Sequence, residues 1–134
     1  MASVLEDKEA IRDAFATYCY AVDDNNAAGF SALFAEDCIW DGGPIGKFEG
    51  REAMAGFCAG LNQNWGVNTF RHHLANQVVK VDGDGAHLIA YVNVIKANPG
   101  DPISVFASGK YNVDFVRQGG SWLIKKLVLA SAFV

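Results

Sequence analysis

Apolar and polar positions recur along this chain with two periods, a helical one in the first half and a strand-like one in the second. Ile11, Phe15, Tyr18, Cys19 and Val22 fall at i, i+4, i+7, i+8 and i+11, opposite polar Lys8, Arg12 and Asp13, which predicts an amphipathic helix. At about 100° per residue, Tyr18 lies near the middle of that stripe and Tyr20 points the opposite way. Asp23 falls at the margin of the stripe, and Asp24 is rotated into solvent. Asp24-Asn25-Asn26 breaks the helix, and Asn25 or Asn26 caps a second one over Ala27–Phe34, with Phe30, Leu33 and Phe34 inward. Glu36–Asp41 reads as a short strand, Gly42-Gly43-Pro44 as its turn, and Gly46–Glu49 as its return. A third helix runs from Arg51 to about Asn62 and buries Met54, Phe57 and Leu61, and a loop follows to Asn68 with Trp65 inside it.

From residue 70 onward the period changes to that of strands. Phe70–Val81, Ala86–Lys96, Ser104–Arg117 and Trp122–Ala132 are long β segments. The first two are joined by Asp82-Gly83-Asp84-Gly85, a strong hairpin signal. Helices first, then an antiparallel meander, predicts an α+β fold in which three N-terminal helices cover one face of a curved, mostly antiparallel sheet. Such a cone-shaped barrel has an open mouth of the kind that binds small molecules. No linker or repeat interrupts the pattern, so residues 1–134 are expected to form one domain.

Composition narrows the function classes. Half of the 134 residues are apolar (51%), fourteen are glycine, and the net charge is −4. There is no basic run or Arg-rich helix, which argues against nucleic acid. The N-terminus MASVLEDKEAIRD is charged, and no apolar run approaches the length of a membrane span, so a cytoplasmic protein is expected. Cys19, Cys38 and Cys58 are odd in number and form no C-x-x-C, which suits free thiols. The long strands carry apolar residues on both faces: Leu88, Ala90, Val92 and Val94 on one, Ile89, Tyr91 and Ile95 on the other. A sheet covered by its own helices on one side then needs a second cover, and a homodimer or homotrimer packed through the outer face is expected.

Chemistry concentrates on Thr69–Asp84, which holds two of the three histidines. Alternation puts His72, Leu74 and Asn76 on one face and His73 on the other, so a pocket built around this strand has His72 at its centre. Trp40, Phe57, Trp65, Tyr91 and Phe106 are candidate lining residues, and Asn76 a candidate hydrogen-bonding one. Each also fits a purely structural role. Adjacent strand histidines diverge and cannot chelate one ion together, and no metal or other cofactor is expected.

On this order of elements stand Tyr18-x4-Asp23, Leu33-Phe34-x2-Asp37, Gly50, His72-x3-Asn76, Asp82-Gly83-Asp84-x-Ala86 and Gly120-Ser121-Trp122-x-Ile124. Together they resemble the nuclear transport factor 2-like superfamily. Within it, the chain is similar to the SnoaL-like branch that also contains scytalone dehydratase, bile-acid 7α-dehydratase and hexachlorocyclohexane dehydrochlorinase. The resemblance covers essentially the whole chain. Most of these specify the fold; Tyr18, Asp23 and His72 specify chemistry.

The resemblance implies a cofactor-independent lyase, a dehydratase, acting on a small apolar cyclic or polycyclic molecule. In this reading Asp23 orients and charge-stabilises His72, His72 takes the substrate proton, and Tyr18 hydrogen-bonds a carbonyl or the departing hydroxyl. General chemistry supports such a trio: imidazole titrates near neutral pH, a carboxylate fixes its tautomer, and a phenol stabilises negative charge on oxygen. Two relatives on the fold are disfavoured. Ketosteroid isomerases use a protonated aspartate in an apolar oxyanion hole, and residues 86–96 hold no acid. Limonene epoxide hydrolase-like enzymes need an arginine between acids, and the i+2 neighbour of Arg71 is His73. The alternatives that stay open are a non-catalytic pocket protein binding a hydrophobic ligand or a partner, and an isomerase or cyclase of the same fold.

Overall fold

The computed structural model describes residues 2–65 and 69–133, apart from the side chains of Trp65, Ala132 and Phe133. Helix α1 (Val4–Asp23) starts at Ser3, whose hydroxyl accepts from the Glu6 N–H while the Glu6 carboxylate accepts from the Ser3 N–H. It buries the expected stripe, and Tyr20 is 71% exposed. Helix α2 (Ala27–Ser31) is capped by Asn26, whose Oδ1 accepts from the Gly29 N–H at 2.9 Å. It ends earlier than the periodicity of residues 27–34 predicts. The Leu33 carbonyl accepts from the Ile124 N–H, and Phe34 pairs with Ile124 in the sheet, so tertiary pairing claims these residues for a strand. Phe30 and Phe34 are still fully buried.

Strand β1 therefore spans Phe34–Asp41; a 3-10 turn (Gly43–Ile45) leads to β2 (Lys47–Glu49), and α3 (Arg51–Trp65) runs on past Asn62 to Trp65. The remaining strands are β3 (Phe70–Asp82), β4 (Gly85–Lys96), β5 (Ser104–Gln118) and β6 (Ser121–Phe133), each close to its expected bounds. The six strands form one curved, unclosed sheet in the order β2-β1-β6-β5-β4-β3. Only β1 and β6 are parallel; every other neighbouring pair is antiparallel. The core lies between the three helices and the inner sheet face, as the α+β reading anticipated. Leu88, Ala90, Val92 and Val94 are buried there, while Val78 and Tyr91 remain half exposed on the outer face. Among the described residues no helix is long and apolar enough to cross a membrane.

Strand β3 departs from simple alternation. Its register against β4 shifts between Ala75 and Val78, and Asn76 adopts φ +57°. This β-bulge inserts an extra residue in the left-handed region, which asparagine tolerates better than most residues. Before it, His72 and Leu74 are the partly buried positions; after it, Gln77, Val79 and Val81 are. Asn76 is thereby turned out to solvent rather than sharing the face of His72.

At the other end of α1, Asp7 is buried and accepts both Nη1 and Nη2 of Arg117 at 2.9 Å, and Nε1 of Trp122 at 3.1 Å. The guanidinium also lies 4.5 Å above the Trp122 ring. This ties the start of α1 to the β5–β6 hairpin. Hydrogen bonds from Arg117 first, and from Trp122 second, hold the Asp7 carboxyl below its ordinary value. A carboxylate whose pKa is lower in the folded chain stabilises it above the unfolded value, and that contribution is lost as pH falls through the folded one. The melting temperature is therefore expected to be nearly flat above about pH 5 and to drop below about pH 4. Asp7→Asn should lower it at neutral pH and flatten the acid slope, as thermal melts across pH would show.

Candidate functional site

The site forms where the C-terminal end of α1 meets β3. Asp23 ends α1 because Asp24, Asn25 and Asn26 follow it, and Asn25 takes φ +57° as the chain turns. Being at the margin of the apolar stripe, its carboxylate is directed at β3 rather than into the core. Oδ2 accepts the backbone N–H of His72 at 2.9 Å, and Oδ1 lies 2.6 Å from His72 Nδ1. A carboxylate accepts only, so Nδ1 carries a proton, and in the neutral ring the lone pair is on Nε2. Nε2 has no hydrogen-bond partner among the described residues. The pair is well covered, with side chains 10% and 12% exposed for His72 and Asp23.

His72 borders two concavities. On the inside is a partly open apolar pocket, also lined by Tyr18, Trp40, Phe57, Phe106 and Tyr111. On the outside is a polar groove that Asp23, Asp24, Arg71 and His73 line with it. Histidine and aspartate together thus form part of the wall between an apolar chamber and solvent.

Tyr18, on α1, closes the inner end of the pocket. Its ring packs on Phe15 and Phe30 with centroids 4.9 Å away in each case, and its oxygen accepts from Trp40 Nε1 at 2.9 Å. Burial pushes its pKa well above the usual phenol range, offset in part by the Trp40 N–H and the neighbouring Tyr111 hydroxyl. Tyr111 is driven up in the same direction, again by burial first. Both therefore stay neutral phenols, able to donate a hydrogen bond and not to act as bases. Cys19, Cys38 and Cys58 are free and buried, and burial raises all three thiols, so they are poor nucleophiles.

The structure brings together Tyr18, Asp23 and His72 with Trp40, Phe57 and Phe106. It separates two others from them. Asn76 is exposed beyond the bulge, and Tyr91, 51% exposed, stands on the outer sheet face among its β4 neighbours Ile89 and Asn93. Trp65 lies at the end of α3 rather than in a loop, and its side chain is outside the described residues. Tyr111 is the aromatic lining residue that reasoning from the sequence missed, beside smaller ones such as Ser108 and Ser131. Its signal was the alternation Tyr111, Val113, Phe115 on β5, all buried on the inner face. Among the described residues no three His, Cys, Asp or Glu side chains converge as a metal-binding set.

Comparison with known proteins agrees with this architecture. The family model described as a SnoaL-like domain matches residues 3–128. No curated protein sequence matches the chain. Among solved structures, an NTF2-like protein with a cystatin-like fold from Novosphingobium aromaticivorans is similar with TM-score 0.88 and 25% identity, over 95% of this chain and 82% of its own. A scytalone dehydratase-like protein of the same organism follows with TM-score 0.81 and 24% identity, over 97% and 89%. LinA, a hexachlorocyclohexane dehydrochlorinase, has TM-score 0.84 and 19% identity, over 96% and 88%. With its helix-covered curved sheet and a family match over nearly its whole length, the chain belongs to the SnoaL-like family on the NTF2-like fold, whose relatives include dehydratases and dehydrochlorinases.

Proposed function

We propose that this protein is a cofactor-independent lyase, a dehydratase acting on a small, largely apolar cyclic or polycyclic molecule. The observation that carries the reading is the 2.6 Å contact between His72 Nδ1 and Asp23 Oδ1 at the wall of an apolar pocket. Asp23 fixes the tautomer, so the lone pair on Nε2 takes a proton from the carbon next to a carbonyl. Tyr18 donates to the carbonyl oxygen as negative charge develops there. The C–H electrons form the new double bond, the C–O bond at the β carbon breaks, and His72 returns its proton to the departing hydroxide as water. The aromatic walls exclude bulk water, which strengthens each of these interactions.

The test is to screen small cyclic β-hydroxy ketones and phenolic alcohols for loss of water, followed by the absorbance of the conjugated product. Product formation above the buffer rate, abolished in His72→Gln, supports the lyase. Saturable binding across the panel without turnover favours instead a pocket protein that carries a hydrophobic ligand.

The proposed protein partner is a second or third copy of the chain. Val78, Tyr91 and Val105 are 51%, 51% and 44% exposed, and with partly covered Ile89 and Ile95 they put apolar side chains on the face away from the helices, divided by Asn93 between Tyr91 and Ile95. Light scattering at micromolar concentration is expected to give the mass of a dimer or trimer; a monomer mass removes the expectation.

A further inference from the structure

A phenol hydroxyl has one proton and two lone pairs, whereas an indole N–H can only donate. The 2.9 Å bond from Trp40 Nε1 therefore occupies one lone pair of the Tyr18 oxygen and leaves the proton of Tyr18 pointing elsewhere. The rings around it, Phe15, Phe30 and Phe34, hold no acceptor. The Tyr111 hydroxyl faces the second lone pair and, like the Trp40 N–H, lowers the Tyr18 pKa, so the direction left for the Tyr18 proton is the pocket, which Tyr18 lines.

Trp40 is itself held in place. Its ring packs on Phe57 and Phe48 with centroids 4.4 and 6.1 Å away. Its outer edge lies across Gly42, where an added Cβ would stand 2.5 and 2.6 Å from Cζ3 and Cη2. Gly42 has an ordinary φ of −104°, so the absence of a side chain there serves the indole and not the turn. The chain thus spends a glycine, two phenylalanines and a buried N–H on fixing one hydroxyl.

We propose that Trp40 is a positioning residue that presents the Tyr18 proton to an oxyanion in the pocket, and that the site accordingly takes molecules bearing an enolate- or phenolate-like oxygen on an aromatic or cyclic frame. This rests on the reading of His72 as the base and Tyr18 as the donor. The N–H bond also polarises the hydroxyl, making it a stronger donor in the low dielectric of the pocket.

The probe is 2-naphthol, whose absorbance separates the neutral from the ionised form, with naphthalene as a matched ligand that cannot ionise. Bound 2-naphthol is expected to be more ionised in the wild type than in solution at the same pH. Trp40→Phe should lower the ratio of ionised to neutral bound probe by ~3–10-fold, the worth of one net hydrogen bond, with naphthalene affinity changed less. Tyr18→Phe should have a comparable effect, and Trp40→Phe added to it should cause no further loss. Gly42→Ala offers a second route should Trp40→Phe not fold: it displaces the indole while keeping its N–H, and the same fall is expected. An unchanged ratio in Trp40→Phe or Gly42→Ala overturns the proposal. So does a loss additive to that of Tyr18→Phe, or one matched by weaker naphthalene binding. Equal ionisation in wild type and His72→Gln contradicts the base assignment instead.

Discussion

Replacing His72 with Gln is expected to lower turnover of a dehydratase substrate by ~10²–10⁴, the usual contribution of a positioned acid–base group. Glutamine roughly preserves volume and can still hydrogen-bond Asp23, so stability should move by no more than ~1–2 kcal/mol. His73 is the internal control. It stands next in sequence but is exposed on the groove side of β3, and is absent from the pocket lining. His73→Gln should leave turnover nearly intact. If both variants lose activity equally, and only in step with their melting temperatures, His72 is a structural residue.

Asp23→Asn is expected to fall in the same range as His72→Gln, ~10²–10⁴ in turnover, because an amide cannot stabilise the imidazolium that forms during proton transfer. The geometry makes the substitution severe. The two carboxylate oxygens accept separately from Nδ1 and from the backbone N–H of His72, at 2.6 and 2.9 Å. Asparagine has one accepting oxygen, so one of those donors must face an NH₂ group. Either the ring loses its tautomer or β3 loses its tie to α1. Steady-state rates measured beside thermal melts distinguish the two: a rate loss without a matching melting shift assigns the effect to the tautomer.

How much of this was legible beforehand depends on whether the signal was local. Tyr18, Tyr20 and Asp23 lie on one uninterrupted helix, so rotation per residue alone sorted the buried tyrosine from the exposed one and put Asp23 at the margin. Alternation likewise assigned His72 and His73 to opposite sides of β3, and the four long strands came close to their observed bounds. The same rule failed for Asn76, because a bulge changes the parity of every residue after it and leaves no plain mark in composition. Helix α2 was overextended for a tertiary reason, the pairing of Phe34 with Ile124. The Asp7–Arg117–Trp122 cluster joins residues 110 and 115 positions apart, beyond any local pattern. The capping box at Ser3 and Glu6 was readable from S-x-x-E spacing and was overlooked. The outward face of Tyr91 also follows from alternation, since Ala90 and Val92 are buried.

The central claim is that His72 removes a proton from a carbon acid held in the apolar pocket. It can be tested without knowing the leaving group, by following α-proton exchange of small cyclic ketones in D₂O by NMR. Exchange faster than buffer is expected with the wild-type protein, saturating as the pocket fills and lost in His72→Gln. A ketone that binds in the pocket and exchanges at the same rate with wild type, with His72→Gln and in buffer would contradict it.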